Sequence, residues 1–173
     1  KQALQLPAVA LKGLCCHIGS QIFDEAPFIH TAEVMLTFMA QVRKETGHTL
    51  TELNLGGGFG IRYTAKDTPL PKDQYMQLVS GAARKKAAEL DFPFPFIIIE
   101  PGRSVVANAG ITLYTVGHIK HIPGVRTYVN VDGGMADNPR YALYKAPYTA
   151  VIANRADQQP DQVVTIAGRC CES

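Results

Sequence analysis

Phe94–Ser104 reads FPFIIIEPGRS, an apolar run that ends in a carboxylate, a Pro-Gly turn and a guanidinium. Ile97, Ile98 and Ile99 are β-branched and stiff at χ1, which predicts a strand buried on both faces, as in a parallel sheet. Glu100 falls where that strand leaves the core. Pro101 fixes one φ, Gly102 lets the backbone come close to a neighbour, and Arg103 offers a planar fork of donors suited to phosphate or carboxylate. A strand end with an ordinary turn and a surface Glu100–Arg103 ion pair accounts for the same residues. The stretch alone leaves both readings open.

The same layout occurs twice upstream. Val9–Ile18 is an apolar run that predicts a buried strand opening into the polar loop His17-Ile18-Gly19-Ser20. Pro27 then falls in the first turn of a predicted helix, with Phe28, Ala32, Met35, Met39 and Val42 at helical spacing and Gly47 as its stop. Thr51–Leu55 predicts a short strand running into Gly56-Gly57-Gly58-Phe59-Gly60, and a second helix is expected over Lys72–Leu90, with Tyr75, Val79, Ala82, Lys86 and Leu90 on one stripe. Strand ends thus fall at Gly19, Gly58 and Gly102, spaced by 39 and 44 residues, a βα rhythm. Both barrels and doubly wound sheets of that class build their sites at the C-terminal ends of strands.

Beyond Ser104 the texture changes. One or two helical turns fit Val105–Ala109; Ile111–Ile122 alternates like a strand, Pro123-Gly124 is a turn, and Arg126–Val131 alternates again, predicting a hairpin. Tyr148–Ala153 and Val163–Ala167 are further strand candidates around a polar loop, Asn154–Gln162. The fold class expected is therefore α/β followed by mainly β, with a domain boundary at Gly110 separating residues 1–110 from 111–173.

Composition excludes several classes. The chain is 46% hydrophobic and 18% charged, ordinary for a folded domain, and its net charge of +2 has no basic run that would serve nucleic acid. No apolar segment has membrane-spanning length and the N-terminus lacks a signal-peptide pattern, so a cytoplasmic protein is expected. The cysteines form two adjacent pairs, Cys15-Cys16 and Cys170-Cys171, which match neither a disulfide framework nor a metal spacing, so reduced thiols and no metal are expected. The chain does not begin with Met and stops just after a strand-like run, as a piece of a longer protein would.

Several residues could do chemistry. A glycine cluster at a strand-to-helix turn can cradle an anion on its backbone N–H groups, or can simply make a sharp turn. The dinucleotide fingerprint fails because Ile61 stands where its third glycine would, and no Gly-Lys-Ser/Thr follows. His17 fits a satisfied strand-end histidine, a ring stacked on a flat cofactor, or an acid/base group. Ser20 could bond a phosphate or hydroxyl. His118 and His121 lie three apart on a strand, facing opposite ways, and read as structural or surface residues. Asn138-Pro139-Arg140 with Tyr144 puts a guanidinium and a phenol in a turn-like segment, and Cys171-Glu172 sets a thiol beside a carboxylate.

Taken in order, HIGSQ (17–21), GGGFG (56–60), EPGR (100–103), DGG (132–134), RYALY (140–144) and CES (171–173) resemble the motifs of the fold type III pyridoxal phosphate-dependent decarboxylases, most closely the diaminopimelate decarboxylase branch. The resemblance covers nearly the whole chain. It implies the C-terminal half of a cofactor-binding (β/α)8 barrel of the alanine racemase type over 1–110, and part of a C-terminal β domain over 111–173. It also implies that His17 stacks on the pyridine ring, Ser20 reaches the cofactor, and Gly56, Gly57 and Gly58 hold its phosphate. Glu100 would keep the ring nitrogen protonated, Pro101 and Gly102 would shape the phosphate approach, and Arg103 would lie on the cofactor and substrate side. Arg103, Arg140 and Tyr144 match the positions for the substrate's distal carboxylate and Glu172 the one facing its distal ammonium. Cys171 matches the proton donor that a partner subunit delivers, which implies a homodimer with a shared site.

The activity implied is conversion of meso-2,6-diaminopimelate to L-lysine and carbon dioxide, the last step of lysine biosynthesis. Two departures concern packing: Cys15 stands where the family commonly has His, and Tyr141 where it has Pro. The lysine that condenses with the cofactor is expected upstream of Lys1 and a cofactor-binding tyrosine downstream of Ser173, so residues 1–173 alone are expected to be inactive. Rivals are an ornithine or arginine decarboxylase of the same fold, whose members tend to carry Asp after the cysteine, and a non-catalytic relative that keeps the fold. A racemase-like enzyme fits the Cys-Glu-Ser ending less well.

Overall fold

The computed structural model describes residues 1–170, which form two compact units, Lys1–Gly110 and a second that begins at Ile111. In the first, strands β1 (Gly13–Cys15), β2 (Glu52–Asn54) and β3 (Phe96–Ile98) make a parallel sheet in the order β1-β2-β3, joined by helices α1 (Ala26–Thr46) and α2 (Lys72–Glu89). The register sets Leu14, Leu53 and Ile97 in one row and Cys15, Asn54 and Ile98 in the next. Since side chains alternate across a strand, the first row faces one side and the second the other. Leu53 is fully buried, and Leu14 and Ile97 pack with it against the core that Phe28, Leu36 and Met39 of α1 build with Tyr75 and Val79 of α2.

Only that face is covered by the unit's own helices. The expectation that the Ile97–Ile99 run is buried on both faces is corrected accordingly: these residues are half-buried, and Phe96 is 73% exposed. The strand read over Val9–Ile18 is also shorter than its apolar content suggests, because Val9 lies outside the ladder, 47% exposed. On α2 the buried stripe is Tyr75, Val79, Ala83 and Ala87; Ala82 and Lys86, expected on it, sit at its edge. The buried row runs at steps of four, a ridge inclined to the helix axis, whereas the expected steps of four, three, four and four run more nearly along the axis. Gly47 ends α1 as expected, in the left-handed region at φ 73°.

Three aromatic side chains tie this core to the loops above it. Phe28 stacks on Phe59 at 4.9 Å between ring centres, and Tyr75 meets both edge-on or tilted at 5.6 Å. The Tyr75 hydroxyl donates to the carbonyl of Phe23. Burial, with the carboxylates of Glu25 and Asp24 nearby, pushes this phenol above the ordinary tyrosine range, so it stays a donor at every working pH. Tyr75→Phe is expected to cost about 1–2 kcal/mol in urea unfolding, because a carbonyl loses its partner while the ring contacts survive.

The second unit holds a sheet of β4 (Val116–Ile122), β5 (Arg126–Val131) and β6 (Thr165–Ala167), β4 antiparallel and β6 parallel to β5. The hairpin forms as read, but it begins at Val116, not at Ile111, with an irregularity between Val116 and His118. His121 Nδ1 lies 2.9 Å from the Thr127 hydroxyl across the hairpin, a structural role. Tyr148–Ala153 is no strand: Val151 and Ile152 are 70% and 63% exposed, with no neighbouring strand to pair with. The turn-like segment around Arg140 is a five-residue helix, α4 (Arg140–Tyr144). A four-residue helix, α3 (Arg103–Val106), closes the first unit's β3 loop.

Candidate active site

Parallel strands bring their C-terminal ends to one edge, so the loops after β1, β2 and β3 meet there. They interlock through glycines. A Cβ on Gly57 would lie 2.2 Å from the Glu100 carbonyl oxygen, and one on Gly58, whose φ is +96°, 2.2 Å from that of Gly19. Any side chain at these positions would collide with backbone, so the cluster does more than turn the chain. Ile22 and Phe59 extend the β1–β2 pairing past the strand ends. Gln21 locks the same two loops: its Nε2 donates to the Ile61 carbonyl at 2.7 Å and its Oε1 accepts the Ile61 N–H at 3.2 Å, as a neighbouring strand would.

Two side chains engage the turn itself. His17 Nδ1 accepts the Gly57 N–H at 3.2 Å, which places the ring proton of a neutral His17 on Nε2. Asn54, the last residue of β2, accepts the Gly56 N–H on Oδ1 at 2.8 Å and donates from Nδ2 to Glu100 Oε1 at 2.6 Å. Of the three glycines expected to hold phosphate, Gly56 and Gly57 thus commit their N–H groups internally. The Gly58 N–H has no partner among the described residues.

Glu100 and Arg103 make no ion pair; among the described residues the ion pairs are Lys1–Glu45 and Lys86–Glu89. Arg103 instead donates to the Tyr63 hydroxyl at 3.3 Å, with its guanidinium 6.0 Å from that ring's centre, and to the Ser20 hydroxyl. Ser20 is therefore oriented by Arg103. Pro101 and Gly102 form the corner before α3, and a Cβ added at Gly102 would meet no atom within 4 Å. Ser104 Oγ, just beyond, is a buried polar atom with no partner among the described residues.

Sequence reasoning missed Asn54, Gln21 and Tyr63. An Asn two residues before a glycine run reads as part of the turn, and only β2's register with β3 brings it to Glu100. Tyr63 is held by Asp67, whose Oδ2 accepts the N–H groups of Thr64 at 2.7 Å and of Tyr63 at 3.0 Å. Those bonds, Thr64's first, hold the Asp67 carboxyl below its ordinary value of 3.8. A lowered native value means that the carboxylate steadies this loop fully above pH 3.8 and loses that effect as pH falls from there through the lower native value. Asp67→Asn is expected to speed amide exchange at Tyr63 and Thr64 several-fold at pH 7, as acid does to the native loop.

In the second unit, Arg140 donates to the Tyr148 hydroxyl at 3.2 Å, and that hydroxyl donates to Asn138 Oδ1 at 3.2 Å. Tyr144 is exposed at the end of α4. Cys171 and Glu172 lie outside the described residues.

Residues 1–107 match the pyridoxal-dependent decarboxylase family's pyridoxal binding domain. The chain belongs to the pyridoxal-dependent decarboxylases. Over all 173 residues it is 51% identical to a diaminopimelate decarboxylase of Bacillus subtilis, covering 39% of that protein. Among solved structures, a diaminopimelate decarboxylase from M. jannaschii in complex with L-lysine matches 99% of the chain and 38% of its own length, with a TM-score of 0.79 and 35% identity. A Vibrio vulnificus lysine/ornithine decarboxylase, at 23% identity and a TM-score of 0.76, shares the fold, over 95% of this chain and 42% of its own. The chain spans about two-fifths of the length of these relatives. In this pyridoxal-dependent decarboxylase, His17, the glycine turn and Glu100 meet at one edge of the parallel sheet.

Proposed function

We propose that this chain forms the phosphate and ring-nitrogen side of the site in a pyridoxal 5'-phosphate-dependent diaminopimelate decarboxylase, which makes L-lysine and carbon dioxide. The observation that carries the substrate is the 51% identity to the Bacillus subtilis enzyme over all 173 residues, beyond the family's domain, which ends at 107. The extra stretch holds Asn138–Tyr144, where the two-ended substrate would be told from a simple diamine.

The residues present suit the cofactor. Among the described residues the Gly58 N–H and the Ser104 hydroxyl have no partner, and Gly102, at the same corner as Ser104, leaves room for a close approach. Bound pyridoxal phosphate supplies an electron sink for the pair left when the carboxylate departs as carbon dioxide. Around it, His17 would lie flat on the ring, positioned through Nδ1 by Gly57. Ser20 and Arg103, bonded to each other, would face the phosphate and substrate side. Glu100 would hold a proton on the ring nitrogen, which a carboxylate does and a cation would prevent.

Arg140 and Tyr144 would bind the distal carboxylate, Arg140 aimed by Tyr148. Glu172 would face the distal ammonium, and Cys171 of a partner subunit would return a proton to the carbon, so the working unit is a homodimer in the cytoplasm. Among the described residues no helix is long and apolar enough to cross a membrane, which fits but does not carry that location.

Gly102→Ala separates folding from binding. It is expected to leave urea unfolding within about 0.5 kcal/mol of the parent, since no protein atom is met, yet to weaken pyridoxal phosphate binding at least tenfold. The substrate is tested by assaying the full-length enzyme with meso-2,6-diaminopimelate, ornithine and arginine. Lysine formation from the first supports the proposal; turnover of ornithine or arginine without it overturns it.

A further inference from the structure

Asn54 has a place in this arrangement that neither the family resemblance nor the sequence motifs assign. It ends β2, in register with Ile98, two residues before Glu100. Its amide makes two bonds of opposite sense. The Gly56 N–H can only donate, so the atom facing it at 2.8 Å is the amide oxygen, and the nitrogen is left to face Glu100 Oε1 at 2.6 Å. The flip of the amide is thus fixed by the turn, and the turn in turn fixes which group meets the carboxylate.

Among the described residues no cation pairs with Glu100. Arg103 is turned to Tyr63 and Ser20, and both ion pairs among the described residues lie elsewhere. A guanidinium beside Glu100 would orient it and also neutralise it; a neutral amide orients it and leaves its charge for another proton-bearing group. The bond also joins the two halves of the site, since one side chain touches both the turn at Gly56 and the carboxylate on β3. The backbone repeats the link, with the Glu100 N–H donating to the Gly56 carbonyl at 2.7 Å.

We propose that Asn54 is a positioning residue for Glu100: its Nδ2 aims the carboxylate at the ring nitrogen while its Oδ1 braces the glycine turn, so that one amide couples the ring end of the cofactor to the phosphate end. This rests on Glu100 serving the ring nitrogen as proposed above.

Asn54→Asp separates the two bonds. Aspartate keeps the oxygen that braces Gly56 but replaces the donor by an acceptor facing a carboxylate, and two such groups share a proton. Asn54→Ala loses both. In full-length enzyme stripped of cofactor and titrated with pyridoxal phosphate, Asn54→Asp is expected to bind within about threefold of the parent, and Asn54→Ala at least tenfold more weakly. With cofactor loaded, Asn54→Asp is expected to lose kcat about tenfold or more with KM little changed, and to shift the pH dependence of both kcat and the cofactor's visible absorbance.

Unchanged kcat and unchanged pH profiles in Asn54→Asp overturn the proposal, as does a loss of cofactor affinity and thermal stability with those profiles intact, since a merely structural residue would behave so. Glu100→Gln distinguishes this failure from that of the underlying reading. If Glu100→Gln loses activity and its absorbance profile shifts while Asn54→Asp does not, the inference about Asn54 alone falls. If Glu100→Gln is fully active, both fall.

Discussion

Glu100→Gln is expected to lower decarboxylation by the full-length enzyme on the order of 10²-fold, with pyridoxal phosphate still bound. The amide is isosteric and can still meet Asn54, so the fold has no reason to change. What it lacks is the charge that, in the role proposed for Glu100, keeps a proton on the ring nitrogen. Without that proton the ring accepts electrons less readily, and the deficit falls on the step that releases carbon dioxide and so on kcat more than on KM. Steady-state rates with diaminopimelate, and the cofactor's absorbance against pH, check it. A kcat within threefold of the parent would remove Glu100 from the role proposed.

The second large effect is structural. Gly58→Ala is expected to destabilise the first unit by about 3 kcal/mol or more, from a positive φ that alanine resists and a Cβ 2.2 Å from the Gly19 carbonyl. Backbone lies on both sides of the overlap, so no flexible side chain can yield. Urea unfolding measures the loss, and pyridoxal phosphate binding should be lost with it. Gly81→Ala is the control: it lies in α2, where a Cβ meets nothing within 4 Å, and should stabilise by about 0.5–1 kcal/mol. An equal response at both positions would show that the close approach of the loops does not matter.

Much of this was legible in the sequence, for identifiable reasons. The helices were readable because Phe28, Ala32 and Met39, and Tyr75 with Val79, recur at the spacing that puts them on one buried face. The change from βα units to consecutive strands showed at Gly110 because alternation replaces helical spacing there. Strand lengths were not legible: Val9, Val151 and Ile152 are apolar and β-branched, yet they join no strand ladder among the described residues. The glycines announced a turn, but their reason, the approach of Glu100 and Gly19, depends on chain 43 residues ahead and 39 residues behind. Asn54 and Gln21 were missed on the same ground. Each spans two loops whose proximity exists only once parallel strands have aligned.

Phe59 sits within the glycine turn and is stacked into the core, and Gln21 fastens the same turn from the side. A loop moored in this way would have little freedom left to surrender in taking the phosphate proposed for it. The entropic cost of ordering, which usually weakens capture by glycine-rich segments, has been met during folding. Association should therefore be quick and nearly independent of loop motion, and the residence time of the ligand should follow its contacts and not the opening of a flap.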